Sequence, residues 1–200
     1  MSTKRMSGLL GLILVSSALA SAALTTSSRS SSAPASSATI AAAPTPRLER
    51  IHVEIPRQSF EVYAHLASEI VHARVLDTSV DVPKVGLALT SVHVKVLGAM
   101  KGLADSELTF QVAGGASSER IVEVQGAPRF TAGDEVVLFL WKEPTTGQFG
   151  LLGLDQGTYR VAPDAEGVRR VVGLHARGET VDAFFDRVGS ELAQPAPWTR

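Results

Sequence analysis

The sequence predicts a mainly β protein, a small antiparallel β-barrel with a short helix before it and an amphipathic helix after it. Short segments of alternating apolar and polar residues recur between glycine-containing turns, as expected of a barrel. The run VVLFLW, residues 136–141, is apolar at every position and is typical of a strand buried on both faces. Residues 179–192, ETVDAFFDRVGSEL, place their large apolar side chains at helical spacing.

The N-terminus has the pattern of a secretory signal peptide. Lys4 and Arg5 precede the apolar run GLLGLILV and a stretch of small residues in which Ala18-Leu19-Ala20 fits the cleavage rule. We therefore predict a signal peptide over residues 1–23, cleaved after Ala20 or Ala23, and a secreted or periplasmic mature chain that is either soluble or surface-associated. Because the apolar run is shorter than the roughly 20 residues of a spanning helix, no integral membrane span is expected after cleavage. An uncleaved anchor is the alternative.

The next segment, residues 24–49, consists almost entirely of serine, alanine, threonine and proline up to Pro46. Such a composition cannot bury enough apolar surface to offset the entropy of ordering, so we expect a disordered tether. A plain spacer and a glycosylated stalk are both compatible with this composition. The folded domain is predicted over residues 50–192, followed by a tail at 193–200.

The charged-residue and cysteine counts exclude several classes of function. The chain has 19 basic and 20 acidic residues, and removal of Lys4 and Arg5 with the signal peptide leaves 17 basic against 20 acidic. The resulting charge near −3 argues against a nucleic-acid partner. The chain has no cysteine, so it can form neither a disulfide framework nor a thiol nucleophile.

Within the predicted domain, the segments can be assigned in order. Ser59 is placed to cap a short helix over residues 60–67. In EIVHARVLD, residues 69–77, the small apolar side chains at 71, 73 and 75 share one strand face, opposite His72 and Arg74. Further strands are predicted in residues 87–102, 106–113, 120–125, 136–141, 147–154, 156–161 and 167–173.

Glycine, aromatic and arginine positions add detail to this outline. Gly114-Gly115 indicates a turn or bulge that needs a positive φ. Phe130 is expected to plug one end of the core, and VVLFLW to face the barrel lumen on one side and a covering helix on the other. The arginine pair in GVRRVVG, residues 167–173, is typical of an edge strand protected from pairing with other chains.

The order of these elements resembles the netrin-like module, the OB-type barrel of tissue inhibitors of metalloproteinases and of complement C-terminal domains. It also resembles exported bacterial proteins of unassigned function that share the layout. The similar segments are the short helix, EIVHARV, the strand ending VLGAMKG, FQVAGG, APRFTAGDEVVLFL and QGTYRV, which together span residues 59–161. The inhibitors act through an N-terminal cysteine that this chain lacks, so the resemblance carries over no inhibitory residue.

No catalytic, cofactor-binding or metal-binding residue is predicted. His72 and His93 are expected on neighbouring strands of the barrel exterior, where they could approach each other, but two histidines make an incomplete metal site, as do His52 and Glu54. The acidic residues near predicted loops lack the spacing of a calcium loop; they are Asp77, Asp81, Asp105 and Glu107. There is no G-x-S-x-G sequence, and the residues after Gly114-Gly115 do not form a phosphate loop.

These observations favour an exported, non-catalytic binding module whose partner is an extracytoplasmic protein or an envelope polymer such as a polysaccharide. The candidate binding loops are residues 78–86, 114–119 and 142–149, because loops held by a rigid scaffold carry most binding residues. The alternative is an enzyme or protease-associated accessory domain with a polar site near His72 and His93. A structural protein of the envelope is a third interpretation.

Overall fold

The structure, a computed structural model, describes residues 45–102 and 105–199. The predicted signal peptide and residues 24–44 of the predicted tether lie outside the described residues. The described helices and strands, in chain order, are β1 (Arg47–Ile51), α1 (Phe60–Leu66), β2 (Glu69–Asp81), β3 (Leu89–Lys101), β4 (Glu107–Ala113), β5 (Gly115–Ala116), β6 (Arg120–Val124), β7 (Glu135–Lys142), β8 (Phe149–Leu151), β9 (Thr158–Pro163), β10 (Arg169–Val172) and α2 (Val181–Leu192).

Five strands close into a barrel, as predicted. Strands β7, β2, β3 and β4 are successive antiparallel neighbours, and β8 pairs with both β4 and β7 to complete the ring. The β4–β8 pair is parallel, with Phe110 opposite Phe149. Strand directions cannot alternate all the way around a ring of five, so one pair must be parallel.

The barrel wall separates two layers of the core. The side chains of Val136, Leu138 and Leu140 lie in the buried cluster inside the barrel, whereas Val137 and Phe139 lie in the cluster between the barrel and the two helices. Strand β7 is therefore buried on both faces because its side chains alternate between these layers. This confirms the prediction for residues 136–140 of VVLFLW, whereas Trp141 is 44% exposed.

Both predicted helices are present, and α1 begins after its predicted cap. The side chain of Ser59 accepts a hydrogen bond from the Val62 backbone N–H at the start of α1, and Thr180 accepts one from Ala183 at the start of α2. Phe184 and Val188 of α2 are fully buried in the outer layer. No helix in the described part of the chain combines the length and the apolar character needed to cross a membrane.

A second, three-stranded sheet has the order β1–β6–β5, with β1 parallel to β6. Strand β6 was expected among the barrel strands, but it pairs with β1 and β5 because the chain leaves the barrel at Gly114. Strand β1 begins at Arg47, three residues before the predicted start of the domain, and the Arg47 N–H donates to the Glu119 carbonyl at 2.9 Å. Near the C-terminus, the ring of Trp198 lies 5.9 Å from that of His65.

The main sheet continues beyond the barrel through β9 and ends at β10, the edge strand predicted from GVRRVVG. Both arginines of β10 are engaged within the chain. Arg170 Nε binds Asp164 Oδ2 at 2.8 Å, and Arg169 contacts Glu135.

Candidate functional site

A cavity of about 440 Å³ lies where the barrel meets the small sheet. Its barrel wall consists of inward-facing side chains at the ends of β2, β3 and β4, namely Thr78, Val80, Thr90 and Val112. The opposite wall consists of β5, β6 and residues 127–130. The cavity therefore occupies the open end of the barrel.

Small residues make room for this cavity and bring its two walls together. Gly114 adopts φ +106°, a backbone conformation that residues other than glycine rarely adopt. This residue turns the chain from β4 into β5. A Cβ atom at Gly115 would lie 2.3 Å from Val80 Cγ1, so glycine lets β5 pack against β2 without displacing the Val80 side chain. The sequence prediction of a glycine-dependent turn is confirmed here.

The inner end of the cavity is continuous with the barrel core. Val112 lines the cavity and belongs to the same buried cluster as Phe110. The ring of Phe130 also lines the cavity and packs edge-to-face on Phe110, with 5.3 Å between centroids. Phe130 thus closes the end of the core, as predicted.

The rim of the cavity carries Arg129 and the carboxylate of Glu123, and Arg50 of β1 pairs with that carboxylate. Arg129 Nη2 lies 2.9 Å from Glu123 Oε1, and Arg50 Nε lies 3.4 Å from Glu123 Oε2. The side chain of Arg129 is 85% exposed. Because two guanidinium groups share one carboxylate, this part of the rim has one excess positive charge.

Two of the three predicted binding loops meet beside this cavity, and Arg120 joins them. The Arg120 guanidinium donates to the carbonyls of Pro83 and Gly86 at 2.8 and 2.7 Å and to Glu49 Oε2 at 2.6 Å. The guanidinium thereby fixes residues 78–86 to the small sheet, and the Arg120 backbone N–H donates to Ser117 Oγ of residues 114–119 at 3.1 Å. Residues 142–149 do not contribute to the cavity lining.

The structure does not bring His72 and His93 together. His72 lies opposite Gly98 in the β2–β3 pairing, whereas His93 lies opposite Asp77. Five residues of β2 separate these positions, which corresponds to roughly 16 Å along a strand. The expectation that the two histidines approach each other on the barrel exterior is therefore wrong, because the strand register sets them apart.

Each histidine has its own acidic partner. His72 Nε2 lies 2.7 Å from Glu135 Oε1, a buried carboxylate that also binds Arg74 at 3.2 Å and Arg169. His93 lies 3.2 Å from both Asp77 and Glu107.

The remaining sequence candidates lie at the surface. His52 and Glu54 are exposed, with 3.9 Å between their side chains, and Asp81 and Asp105 are exposed as well. Among the described residues, no three metal-ligating side chains are grouped so that they could hold an ion.

The two histidines are expected to titrate on opposite sides of the ordinary pKa of about 6.5. Burial lowers the pKa of His72, and the nearby Arg169 and Arg74 add to this effect. The hydrogen bond to Asp77 raises the pKa of His93, with a further contribution from Glu107. NMR titration of the imidazole C–H signals should therefore show His72 titrating below pH 6.5 and His93 above it.

The shifted pKa of each histidine makes the stability of the folded protein depend on pH. The contribution of His72 is complete above pH 6.5 and falls as the pH drops toward its lowered folded-state pKa. That of His93 is complete below pH 6.5 and is lost as the pH rises through its raised folded-state pKa. Asp77→Asn should lower the pKa of His93 and leave that of His72 unchanged; equal shifts at both would contradict this assignment.

No protein-family model matches the chain, and no curated protein is significantly similar to it. The resemblance to netrin-like modules stays a prediction, and the functional argument depends on the barrel and its cavity.

Proposed function

We propose that this chain is an exported, non-catalytic binding module that recognises an extracytoplasmic protein or envelope polymer at the open end of its barrel. The observation that carries this proposal is the cavity of about 440 Å³ between the barrel and the small sheet. Its volume lies within the roughly 300–1,000 Å³ typical of ligand sites, and apolar side chains with a few polar groups at the edge are the usual lining.

The walls of the cavity are fixed by contacts within the chain. Thr90 Oγ1 donates to the Gly114 carbonyl at 2.8 Å, and the Gly114 N–H donates to the Ala88 carbonyl at 2.7 Å. Together with Arg120, these bonds tie β3 and the two loops to the small sheet. A preformed site loses less entropy on binding than a site that must order first, so this arrangement favours recognition.

The chemistry of the lining favours binding over catalysis. The residues that line the cavity include no histidine, and their carboxylate, Glu123, is bound by Arg129. The Thr90 hydroxyl donates its hydrogen to a backbone carbonyl and has no neighbouring base in the lining to activate it. An enzyme or accessory domain near His72 and His93 remains the alternative, but the separation of those residues removes the arrangement on which it depended.

Blocking the cavity should abolish retention of the natural partner. The mature chain is immobilised and exposed to the extracytoplasmic fraction of its source organism, together with Thr78→Trp and Ser79→Trp variants. Thr78 lines the cavity, whereas Ser79 is the next residue along β2 and lies opposite Ser91 rather than at the cavity. We expect the wild type and Ser79→Trp to retain the same component, and Thr78→Trp to retain at least tenfold less of it.

Urea unfolding of the three proteins verifies that each is folded. Equal retention by the wild type and Thr78→Trp would refute binding at this cavity. Loss with both tryptophan variants would place the contact on the exposed strand rather than inside the barrel mouth, and would refute the proposal equally.

A further inference from the structure

We propose that the cavity binds a single aliphatic chain ending in an anionic group. This inference rests on the proposed function, since it names the chemical class of ligand for the same cavity. The aliphatic chain would lie between the barrel mouth and the small sheet, and the anion would lie at Arg129.

The interior of the cavity offers few partners to a polar ligand. The Gly114 and Ala127 N–H groups donate to the carbonyls of Ala88 and Val124 at 2.7 and 3.1 Å, and the Thr90 hydroxyl is bound to Gly114. A sugar or a peptide backbone placed among these groups would lose hydrogen bonds to water without replacing them, which disfavours binding of a polar ligand. A chain of methylene groups has no such requirement and gains from leaving water.

The shape of the cavity suits an aliphatic chain that enters from one end. Its inner end meets the filled barrel core at Val112 and at Phe130, which rests on Phe110. The outer end reaches the charged rim. An amphiphile with one apolar chain and one polar end matches this division into an apolar interior and a charged edge.

The rim charges select an anion. Arg129 and Arg50 share the single carboxylate of Glu123, and the side chain of Arg129 is 85% exposed, so its guanidinium retains room for a second anionic partner. The Arg129 carbonyl accepts a hydrogen bond from Arg160 Nη2 at 2.6 Å, and Arg160 is itself paired with Asp134 at 2.9 Å. These bonds hold the backbone of Arg129 at the rim, where its side chain meets the incoming anion.

The test measures binding of three probes to the mature chain by calorimetry, below the micelle concentration of each. Dodecanoate is expected to bind with one-to-one stoichiometry. Acetate, which has the anion without the chain, should show no binding. Dodecyltrimethylammonium, which has the chain with a cation, should bind at least tenfold more weakly than dodecanoate. Similar affinities for the two long-chain probes would overturn the assignment of the anion to Arg129.

Two substitutions test binding of the aliphatic chain and binding of the anionic group separately. Thr78→Trp should abolish binding of dodecanoate, while Ser79→Trp should leave it intact. Arg129→Gln should weaken dodecanoate roughly threefold to fivefold, the range expected for an exposed charge pair. Arg47→Gln is the control, because Arg47 pairs with Glu49 and does not line the cavity. Unchanged dodecanoate affinity in Arg129→Gln would also refute the anion site.

Three further outcomes would refute the ligand class. If dodecanoate fails to bind while the extracytoplasmic component is still retained in a manner sensitive to Thr78→Trp, the aliphatic ligand is wrong and the proposed function stands. If neither binds, both fail. The third case is occupation by the chain's own segment 25–44, whose large apolar residue is Ile40. A tenfold or greater gain in dodecanoate affinity in Ile40→Ser would assign the cavity to that segment and overturn the proposal.

Discussion

Replacing Phe184 with alanine should lower the free energy of unfolding by about 4 kcal/mol, within the range for removing a buried phenylalanine. Phe184 is fully buried in the layer between the barrel and the helices. Its ring lies 4.8 Å from that of Tyr159, 5.4 Å from Phe60 and 6.3 Å from Phe139. Phe184 thus packs against α1 and against strands β7 and β9. Its removal leaves a cavity that the sheet cannot collapse to fill.

Urea unfolding measures this loss, and Phe185→Ala is the matched control. Phe185 follows Phe184 on the same helix but is only partly buried, with its ring 6.4 Å from that of His72. We expect its removal to cost less than half as much. Equal and small losses for both variants would mean that α2 contributes little to stability and would contradict the inference that it is part of the core.

The elements that were predicted correctly have a signal in local sequence. Alternation in β2 separates Val71, Ala73 and Val75, which lie inside the barrel, from Ile70, which lies under the helices. Helical spacing likewise predicts which residues of α2 are buried. Such patterns depend only on the repeat of one strand or helix, so a single sequence contains them.

The features that were missed depend on pairing between distant residues. Strand β1 has the sequence RLERI, whose charged residues resemble a tether more than a strand, and it forms because it pairs with β6, with Arg47 opposite Arg120. His72 and His93 were placed on the correct outer face, but their separation depends on the β2–β3 register and its bulges. No local pattern fixes that register.

The cavity was also missed, because it too depends on contacts between residues that are distant in the sequence. Gly114-Gly115 was predicted as a turn, yet the contact between Gly115 and Val80 exists only because β2 extends to Asp81 and the small sheet folds over its end. The loops 78–86 and 114–119 were predicted as equal candidates with 142–149. Arg120 distinguishes them, because its bonds to Pro83 and Gly86 bring the first two together.

The same glycine-to-alanine change should have opposite effects at Gly157 and Gly189. Gly157 is buried, and a Cβ atom there would lie 2.0 Å from the backbone oxygen of Leu152. Leu152 cannot withdraw freely, because its N–H donates to the Phe139 carbonyl at 3.0 Å. Gly157 is equally constrained, since β9 begins at Thr158 and pairs there with Leu138 of β7.

We expect Gly157→Ala to lower the free energy of unfolding by about 3 kcal/mol, at the upper end of the cost of overpacking. Gly189 lies within α2, where an added Cβ meets no atom within 4 Å. Gly189→Ala should raise stability by about 0.5–1 kcal/mol, because alanine loses less backbone entropy in a helix. Urea unfolding of both variants provides the measurement. Equal free energies of unfolding for Gly157→Ala and Gly189→Ala would show that the turn before β9 can relax, and that β7 does not hold Leu152 in place.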